Sequence, residues 1–173
     1  MRVAFSGAHR TGKTTLLEAV AAQLPGVRTY DEPYWQLEEE GHEFSDPPSR
    51  EDFEHQLRRS IETILAAPTD ALLDRSPVDF VAYLRATAND FELDDWWPEL
   101  GDAMAALDAI VLVTVEVPDR IALPSHEDAR LRRRVDEEIG SLLLDDPLGL
   151  GARVIEVHGD VDARVHQVMR ALR

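Results

Sequence analysis

A segment near the N-terminus has the residue types and the spacing that bind a chain of phosphate groups. Residues 7–14 read Gly-Ala-His-Arg-Thr-Gly-Lys-Thr and match the phosphate-binding loop pattern G-x-x-x-x-G-K-[ST] at every fixed position. Lys13 is the only lysine among the 18 lysine and arginine residues. Its compact ammonium fits beside a curled backbone where a broad guanidinium fits poorly. The segment therefore predicts a site for the polyphosphate of a nucleotide.

Each part of this loop has its own expected role. Backbone N–H groups and the N-terminus of the following helix would surround the phosphates. Lys13 would reach the β- and γ-phosphates, and the Thr14 hydroxyl would bind Mg²⁺. His9 and Arg10 would contact either a phosphate or the second substrate, and Thr15 would start the helix or touch phosphate. The predicted nucleotide contacts of the loop are Gly7, Ala8, His9, Arg10, Thr11, Gly12, Lys13, Thr14 and Thr15.

The elements around the loop are those that must position it. A short apolar strand precedes it, and apolar residues at helical spacing follow it up to Pro25-Gly26. Further apolar runs alternate with helical patterns, which indicates a parallel sheet covered on both faces. We predict one three-layer α/β domain over residues 1–173. Its five strands are predicted at residues 2–6, 27–30, 71–73, 109–117 and 153–157.

Helical periodicity marks the segments between these strands. It is clearest over residues 53–65, where Ser49 and Asp52 are spaced as a capping box. Proline and glycine residues predict loops at residues 41–50 and 147–151, and a further loop is predicted at about 118–125. The other apolar helical patterns begin at Phe80, Leu100, Leu131 and Val161.

Composition limits the classes of protein and partner. The chain has 173 residues, no cysteine and a formal net charge of −16. The missing thiols exclude disulfides and cysteine chemistry, and the acidic charge argues against a nucleic-acid partner. No apolar run approaches the roughly 20 residues of a membrane span. We expect a cytoplasmic protein, and leave open whether it is a monomer or a homodimer.

In a parallel sheet, ligands bind beyond the carboxyl ends of the strands. Charged residues follow two of the predicted strands there, as Asp31-Glu32-Pro33 and Asp74-Arg75-Ser76. A third segment, His158-Gly159-Asp160, follows the last strand. We therefore expect these segments to meet around the phosphate-binding loop.

With these motifs the chain resembles the P-loop small-molecule kinases, in particular the deoxynucleoside-kinase and nicotinamide-riboside-kinase-like group. The resemblance rests on residues 30–35, on residues 74–79 followed by Tyr83, on residues 118–134 and on residues 159–164. It implies a phosphotransferase that uses ATP and Mg²⁺ and acts on a hydroxyl group. It also implies a lid over about residues 118–140 and an adenine contact at Gly159 and Asp160. Asp74 stands where deoxynucleoside kinases have a glutamate, so the acceptor stays open.

Glu32 is the residue that this resemblance marks as the general base, and Asp31 is the reserve. The alternative for both is turn chemistry before Pro33. Asp74 would hold Mg²⁺ directly or through water, or else cap the helix that starts at Pro77. Arg75 would clamp the acceptor or a phosphate, or else form a structural ion pair.

The densest basic cluster of this acidic chain lies at residues 130–134. On a helix, Arg130, Arg133 and Arg134 share one face, so a lid could bring them to the transferred phosphoryl group. The alternative is a solvated helix on which they pair with Glu137 and Glu138. Trp35 is the candidate for stacking on the acceptor, and Asp79 for a bond to its sugar or base. Trp96 and Trp97 are better explained by packing.

The different-class alternative is a nucleotide switch or an ATPase module that serves a protein partner. The chain has no N-K-x-D guanine motif, and its D-x-x-G match at Asp146 comes too late for a GTPase. An AAA-type machine would need an additional helical domain. These considerations favour a kinase whose acceptor is a nucleoside or riboside, with nucleoside monophosphates and other alcohols as open alternatives.

Overall fold

Five parallel strands form one sheet and bring the predicted site segments to one edge. The computed structural model describes residues 1–87, 91–93, 96–116 and 128–173. The strand order is β2-β3-β1-β4-β5, with every neighbouring pair parallel, as predicted. The strands are β1 (Arg2–Ser6), β2 (Arg28–Tyr30), β3 (Ala71–Asp74), β4 (Ala109–Leu112) and β5 (Val154–Glu156).

The helices follow the predicted periodic segments, with one addition. The predicted capping box is confirmed, because the Ser49 hydroxyl accepts a hydrogen bond from Asp52 N while the Asp52 carboxylate accepts one from Ser49 N. A short helix that we did not predict begins at Pro33, whose fixed φ suits a first helical turn. The helices are α1 (Lys13–Ala21), α2 (Pro33–Glu39), α3 (Arg50–Ala66), α4 (Pro77–Thr87), α5 (Trp97–Ala105), α6 (Ala129–Gly140, continued by a π-helical turn at Ser141–Asp145) and α7 (Val161–Ala171).

Two apolar cores cover the two faces of the sheet. Val3 and Phe5 of β1 pack with α1 and α7 on one face. Ala4 of the same strand packs with α3, α4, α5 and α6 on the other. The alternation follows from the two-residue period of a strand. The sheet is therefore buried on both sides. In such a sheet, ligands bind at the loops that follow the carboxyl ends of the strands.

Strand β4 ends at Leu112, earlier than the predicted end at residue 117. Val113 N still donates to Ser6 O at 2.8 Å. Val115 N instead donates to the carboxylate of Asp136 on α6, at 3.0 and 3.1 Å from its two oxygens. A side chain thus replaces the neighbouring strand, and the apolar run leaves the sheet although its residue types favour β structure.

The predicted lid spans residues 118–140, and its first part, residues 118–127, lies outside the described residues. The part that the structure describes is mainly α6, whose Val135 and Ile139 are fully buried in the core beside α4. This helix is a packed part of the domain. Within the described residues, no helix is both long enough and apolar enough to cross a bilayer.

Candidate active site

The phosphate-binding loop runs from the end of β1 to the start of α1, and two glycines make its path sterically accessible. Gly7 has a φ of 151°, and a Cβ there would lie 2.1 Å from Val113 O. Gly12, with a φ of 87°, precedes the first residue of α1. Glycine is favoured at position 7 because a side chain would collide with Val113 O, and at position 12 because the backbone is in the left-handed region.

Lys13, the first residue of α1, is buried beside this loop. Its Nζ donates to Ala8 O at 2.8 Å. Burial, and after it the nearby charge of Arg75, lower the pKa of Lys13 from 10.5 to about 8, although the carboxylates of Asp79 and Glu32 oppose the shift. An anion bound beside this ammonium would favour its charged form. A phosphate bound here would therefore stabilise the ammonium of Lys13, and Lys13 in turn would stabilise the bound phosphate.

Thr14 and Asp74 meet where β3 ends and α1 begins. The Thr14 hydroxyl donates to Asp74 Oδ2 at 2.5 Å. In the part of the chain that the structure describes, Asp74 Oδ1 is buried without a hydrogen-bond partner. Burial raises the pKa of Asp74, against the opposing effects of Lys13 and of the Thr14 hydroxyl. A hydroxyl beside a carboxylate with an unsatisfied oxygen fits Mg²⁺, which takes few protein ligands when phosphates supply the rest.

Glu32 is held by an ion pair with Arg75. Arg75 Nε donates to Glu32 Oε1 at 2.5 Å. Burial would favour the neutral acid, but the charges of Arg75 and Lys13 lower the pKa of Glu32 overall. Glu32 is therefore an ionised carboxylate that can accept a proton.

Arg75 and Asp79 form a buried network under the loop. The Arg75 backbone has a φ of 81°, unusual for a residue with a side chain, and its guanidinium also donates to Gly7 O and to Asp79 Oδ1, both at 3.3 Å. Asp79 is fully buried and accepts hydrogen bonds from Gly7 N at 3.0 Å and Ser76 N at 3.0 Å. This carboxylate holds the loop from below, a position different from the predicted contact with a sugar or base.

A largely apolar cavity of about 380 Å³ joins Glu32 to the phosphate-binding loop. His9 and Arg10 of the loop line one side, and Glu32 and Arg75 line another. The Phe53 and Tyr83 rings stack at 5.0 Å between centroids with 13° between planes. The aromatic residues of its wall are Tyr34, Phe53, Phe80 and Tyr83.

Trp35 and Asp31, both predicted to act at the acceptor, do not line this cavity. The side chain of Trp35 is 54% exposed and packs edge-on against Tyr34, with ring centroids 4.9 Å apart. Tyr34, one residue earlier, occupies the position in the wall. Asp31 is exposed, and its backbone carbonyl accepts a bond from Gln36 Nε2 at 2.6 Å. Of the two predicted bases, Glu32 therefore lines the cavity and Asp31 does not.

A second cavity of about 290 Å³ lies on the other side of the loop. Gly12 and Thr15 line it together with Gly159 and Asp160, the residues predicted to lie near adenine. The Asp160 side chain caps α7 by accepting a hydrogen bond from Ala163 N at 2.9 Å. The two cavities thus flank the loop, one on the side of Glu32 and one beside α7.

Comparison with known proteins identifies the family of this chain. A family model described as an AAA domain, AAA_28, matches residues 2–164. The chain belongs to the AAA_28 family. No curated protein sequence matches it.

The solved structures with the same fold include P-loop small-molecule kinases. NadR in complex with NR aligns with a TM-score of 0.68 at 19% identity, covering 99% of this chain and 49% of NadR. Thymidylate kinase from Candida albicans aligns at 0.66 and 14%, covering 99% and 90%. Deoxyadenosine kinase from M. mycoides with bound dATP aligns at 0.66 and 13%, covering 99% of both chains. The predicted fold and the resemblance to these kinases are confirmed, and the chain spans about half the length of NadR.

The arginines of residues 130–134 differ in their exposure to solvent. Arg130, Arg133 and Arg134 are exposed on α6. Arg132 is buried and reaches the phosphate-binding loop, where its Nε donates to His9 O at 2.9 Å. Our sequence analysis gave Arg132 no role. A signal was present, because Arg132 precedes the buried Val135 and Ile139 by three and seven residues and so shares their face.

A cavity of about 580 Å³, larger than either of these two, lies elsewhere, along α3. Its wall includes Trp96, over whose ring the Arg58 guanidinium lies at 4.9 Å from the centroid. None of the loop residues 7–15 lines it. The cavities beside the loop are therefore not distinguished by their size, but by the predicted site residues that line them.

Proposed function

We propose that this protein transfers the terminal phosphoryl group of ATP, with Mg²⁺, to a hydroxyl group of a small molecule that is a nucleoside or a riboside. The observation that carries the proposal is the shared cavity. It has an ionised Glu32 on one side and the phosphate-binding loop on the other. An acceptor in it would have its hydroxyl beside a base and in reach of a bound phosphate.

In this proposal the nucleotide binds to the loop and in the second cavity. Lys13 and the loop N–H groups would hold the phosphates, and the cavity lined by Gly159 and Asp160 would take the base. Thr14 and Asp74 would hold Mg²⁺, which when bound neutralises charge on the phosphates. Phosphoryl transfer depends mainly on such positioning and charge neutralisation.

The acceptor hydroxyl loses its proton to Glu32 as it attacks the phosphoryl group. Arg75 keeps Glu32 ionised and fixes its orientation through the bond at 2.5 Å. This ion pair removes conformational freedom that the carboxylate would otherwise have to lose in the reaction. Arg130, Arg133 and Arg134 remain candidates for stabilising the transferred group, since they are exposed on α6, the helix whose Arg132 contacts the phosphate-binding loop.

The cavity wall supports an acceptor with a flat ring. Four aromatic side chains line it beside the charged groups that would face the hydroxyl and the phosphate, and such rings suit a base or pyridine ring held by stacking. Solved NadR structures contain NR, or NAD with AMP-PNP, and a deoxyadenosine kinase structure contains dATP. These proteins share only the fold with this chain, so they guide the choice of acceptors to test.

The second candidate function is ATP hydrolysis in the service of a protein partner, or a nucleotide switch. The description of the matching family as an AAA domain is the observation that favours it. Such a protein would use the loop, Thr14 and Asp74 in the same way. It would have no need of Glu32 beside an aromatic cavity.

Consumption of ATP with Mg²⁺ distinguishes the two functions. The acceptors would be nucleosides, nicotinamide riboside, nucleoside monophosphates and simple sugars, and Lys13→Ala would be the inactive control. Turnover that requires one acceptor and is lost in the control establishes a kinase and names its substrate class. Hydrolysis that no acceptor stimulates would refute the kinase and favour the ATPase.

A further inference from the structure

Three buried arginines from three different parts of the chain donate hydrogen bonds to the backbone carbonyls of the phosphate-binding loop. Arg75 Nη1 donates to Gly7 O at 3.3 Å, and Arg164 Nη1 donates to Thr11 O at 2.8 Å. Arg132 donates to two consecutive carbonyls, from Nε to His9 O at 2.9 Å and from Nη2 to Arg10 O at 3.0 Å. The exposed fractions of these side chains lie between 5% and 7%.

The orientation of these carbonyls also determines where the N–H groups of the loop point. A trans peptide unit is planar, so its C=O and the N–H of the next residue point in opposite directions. Carbonyls held outward at His9 and Arg10 therefore turn the N–H groups of Arg10 and Thr11 inward. A row of inward N–H groups is what binds phosphate in such a loop.

We propose that Arg132 is a positioning residue for the nucleotide phosphates, acting through the peptide groups of His9 and Arg10. It contributes in two ways, by fixing the peptide planes through charge-assisted hydrogen bonds and by placing positive charge behind the loop. The inference rests on the proposed function only because it takes a nucleotide as the ligand of the loop. It is distinct from the arginine contacts with phosphate that we expect of Arg130, Arg133 and Arg134.

The helix that carries Arg132 is rigidly placed, as such a role requires. Val135 and Ile139 are fully buried in the core. The Asp136 carboxylate accepts a bifurcated hydrogen bond from Val115 N, three residues beyond the end of β4. Because α6 is fixed at these points, Arg132 can hold the loop at His9 and Arg10. Arg10 has a φ of 54°, a backbone conformation that is unfavourable for a residue with a side chain.

The test compares Arg132→Leu, Arg132→Lys and Arg170→Leu with the wild-type chain. Leucine keeps the helix and the buried volume but cannot donate, and lysine keeps the charge but cannot bond both carbonyls in a fork. Arg170→Leu removes the same charge from an exposed position of α7. Thermal unfolding first establishes that each variant is folded, and if Arg132→Leu is not, Arg132→Lys carries the test.

The first measurement is hydrogen exchange of peptides covering residues 6–14 in the nucleotide-free protein, and the second is the Kd of a non-hydrolysable ATP analogue. We expect faster exchange and an at least ten-fold weaker Kd in both Arg132 variants, partial recovery of Arg132→Leu with added guanidinium ion, and no change in Arg170→Leu. An unchanged Kd in both Arg132 variants overturns the proposal, as does wild-type affinity in Arg132→Lys. If the wild-type chain bound no nucleotide, the proposed function would fail, and exchange in the loop would still decide whether Arg132 fixes it.

Discussion

The Thr14 hydroxyl donates to Asp74 Oδ2 at 2.5 Å and so connects the first turn of α1 to the last residue of β3. The two residues are 60 positions apart in the chain, and the register of β1 with β3 brings them together. Phe5, near the end of β1, pairs with Asp74 itself. A hydroxyl and a carboxylate thus meet beside the lysine that would bind phosphate.

Removal of the Thr14 hydroxyl should weaken the response to Mg²⁺. Thr14→Val keeps the shape but loses one oxygen of the predicted ion site, and we expect ~10–100-fold more Mg²⁺ to be needed for half-maximal activity. Activity titrated against MgCl₂ measures this. Thr29→Val, on the exposed edge strand, is the matched control, and a Thr14 variant with wild-type Mg²⁺ dependence would contradict the assignment.

Glu32→Gln should nearly abolish transfer while nucleotide binding is spared. Glutamine has the same size but cannot take up the acceptor proton, so kcat should fall by ~10²–10⁴-fold. The Kd of an ATP analogue should stay within a few-fold. Asp31→Asn separates the two predicted bases, because Asp31 is exposed and outside the cavity wall. If Asp31→Asn lost activity and Glu32→Gln kept it, the base would have to be reassigned.

Nucleotide affinity should fall as the pH rises through about 8. Burial lowers the pKa of Lys13 to about 8 in the nucleotide-free protein, and a bound phosphate favours the charged form. Binding therefore takes up a proton above this pH, and each further pH unit should cost up to ten-fold in Kd. Calorimetry in two buffers of different ionisation enthalpy checks the proton uptake. In Lys13→Arg, whose side chain stays charged, this pH dependence should disappear if the variant still binds.

Replacing Arg133 and Arg134 together by alanine should lower kcat more than ATP affinity. Both side chains are exposed on α6, so their loss should leave the core intact, and in the proposed mechanism they stabilise the transferred phosphoryl group. Steady-state kinetics with varied ATP measures the two effects. The double variant Arg170→Ala/Arg173→Ala removes the same charge at the far end of the chain, and an unchanged kcat in the Arg133/Arg134 variant would remove this pair from the mechanism.

Asp52→Asn should destabilise the fold, most strongly at neutral pH. Burial opposes ionisation, yet hydrogen bonds from Ser49 and His42 keep the pKa of Asp52 below its usual value. A carboxylate whose pKa is depressed on folding stabilises the protein above its unfolded-state pKa, near 3.8, and that stabilisation disappears as the pH falls.

The expected loss is about 1–2 kcal/mol in the free energy of unfolding at pH 7, as for a lost helix cap. The difference from the wild type should shrink in denaturation series carried toward pH 3. Glu51→Gln, an exposed acid in the same helical turn, is the control. A difference that stayed constant with pH would show that the charge of Asp52 is not what stabilises this turn.

Local pattern was enough to predict much of this protein. The loop at residues 7–14, the parallel sheet and the capping box at Ser49 were all predicted correctly, because short-range spacing encodes turns, periodicity and caps. The position of Glu32 beside the site also followed from one rule, that ligands bind beyond the carboxyl ends of parallel strands.

What the tertiary structure alone decided is which side chain reaches which backbone group across the fold. Tyr34 rather than Trp35 enters the cavity wall, and Asp136 ends β4 by replacing a strand partner. Arg132, 122 positions along the chain from Arg10, donates to the backbone of the predicted phosphate-binding loop, while its neighbours Arg133 and Arg134 are exposed. From the sequence alone, neighbouring arginines such as Arg132 and Arg133 have the same chemistry. Helix rotation and packing separate them, because a turn of 100° per residue sends one arginine into the core and the next into water.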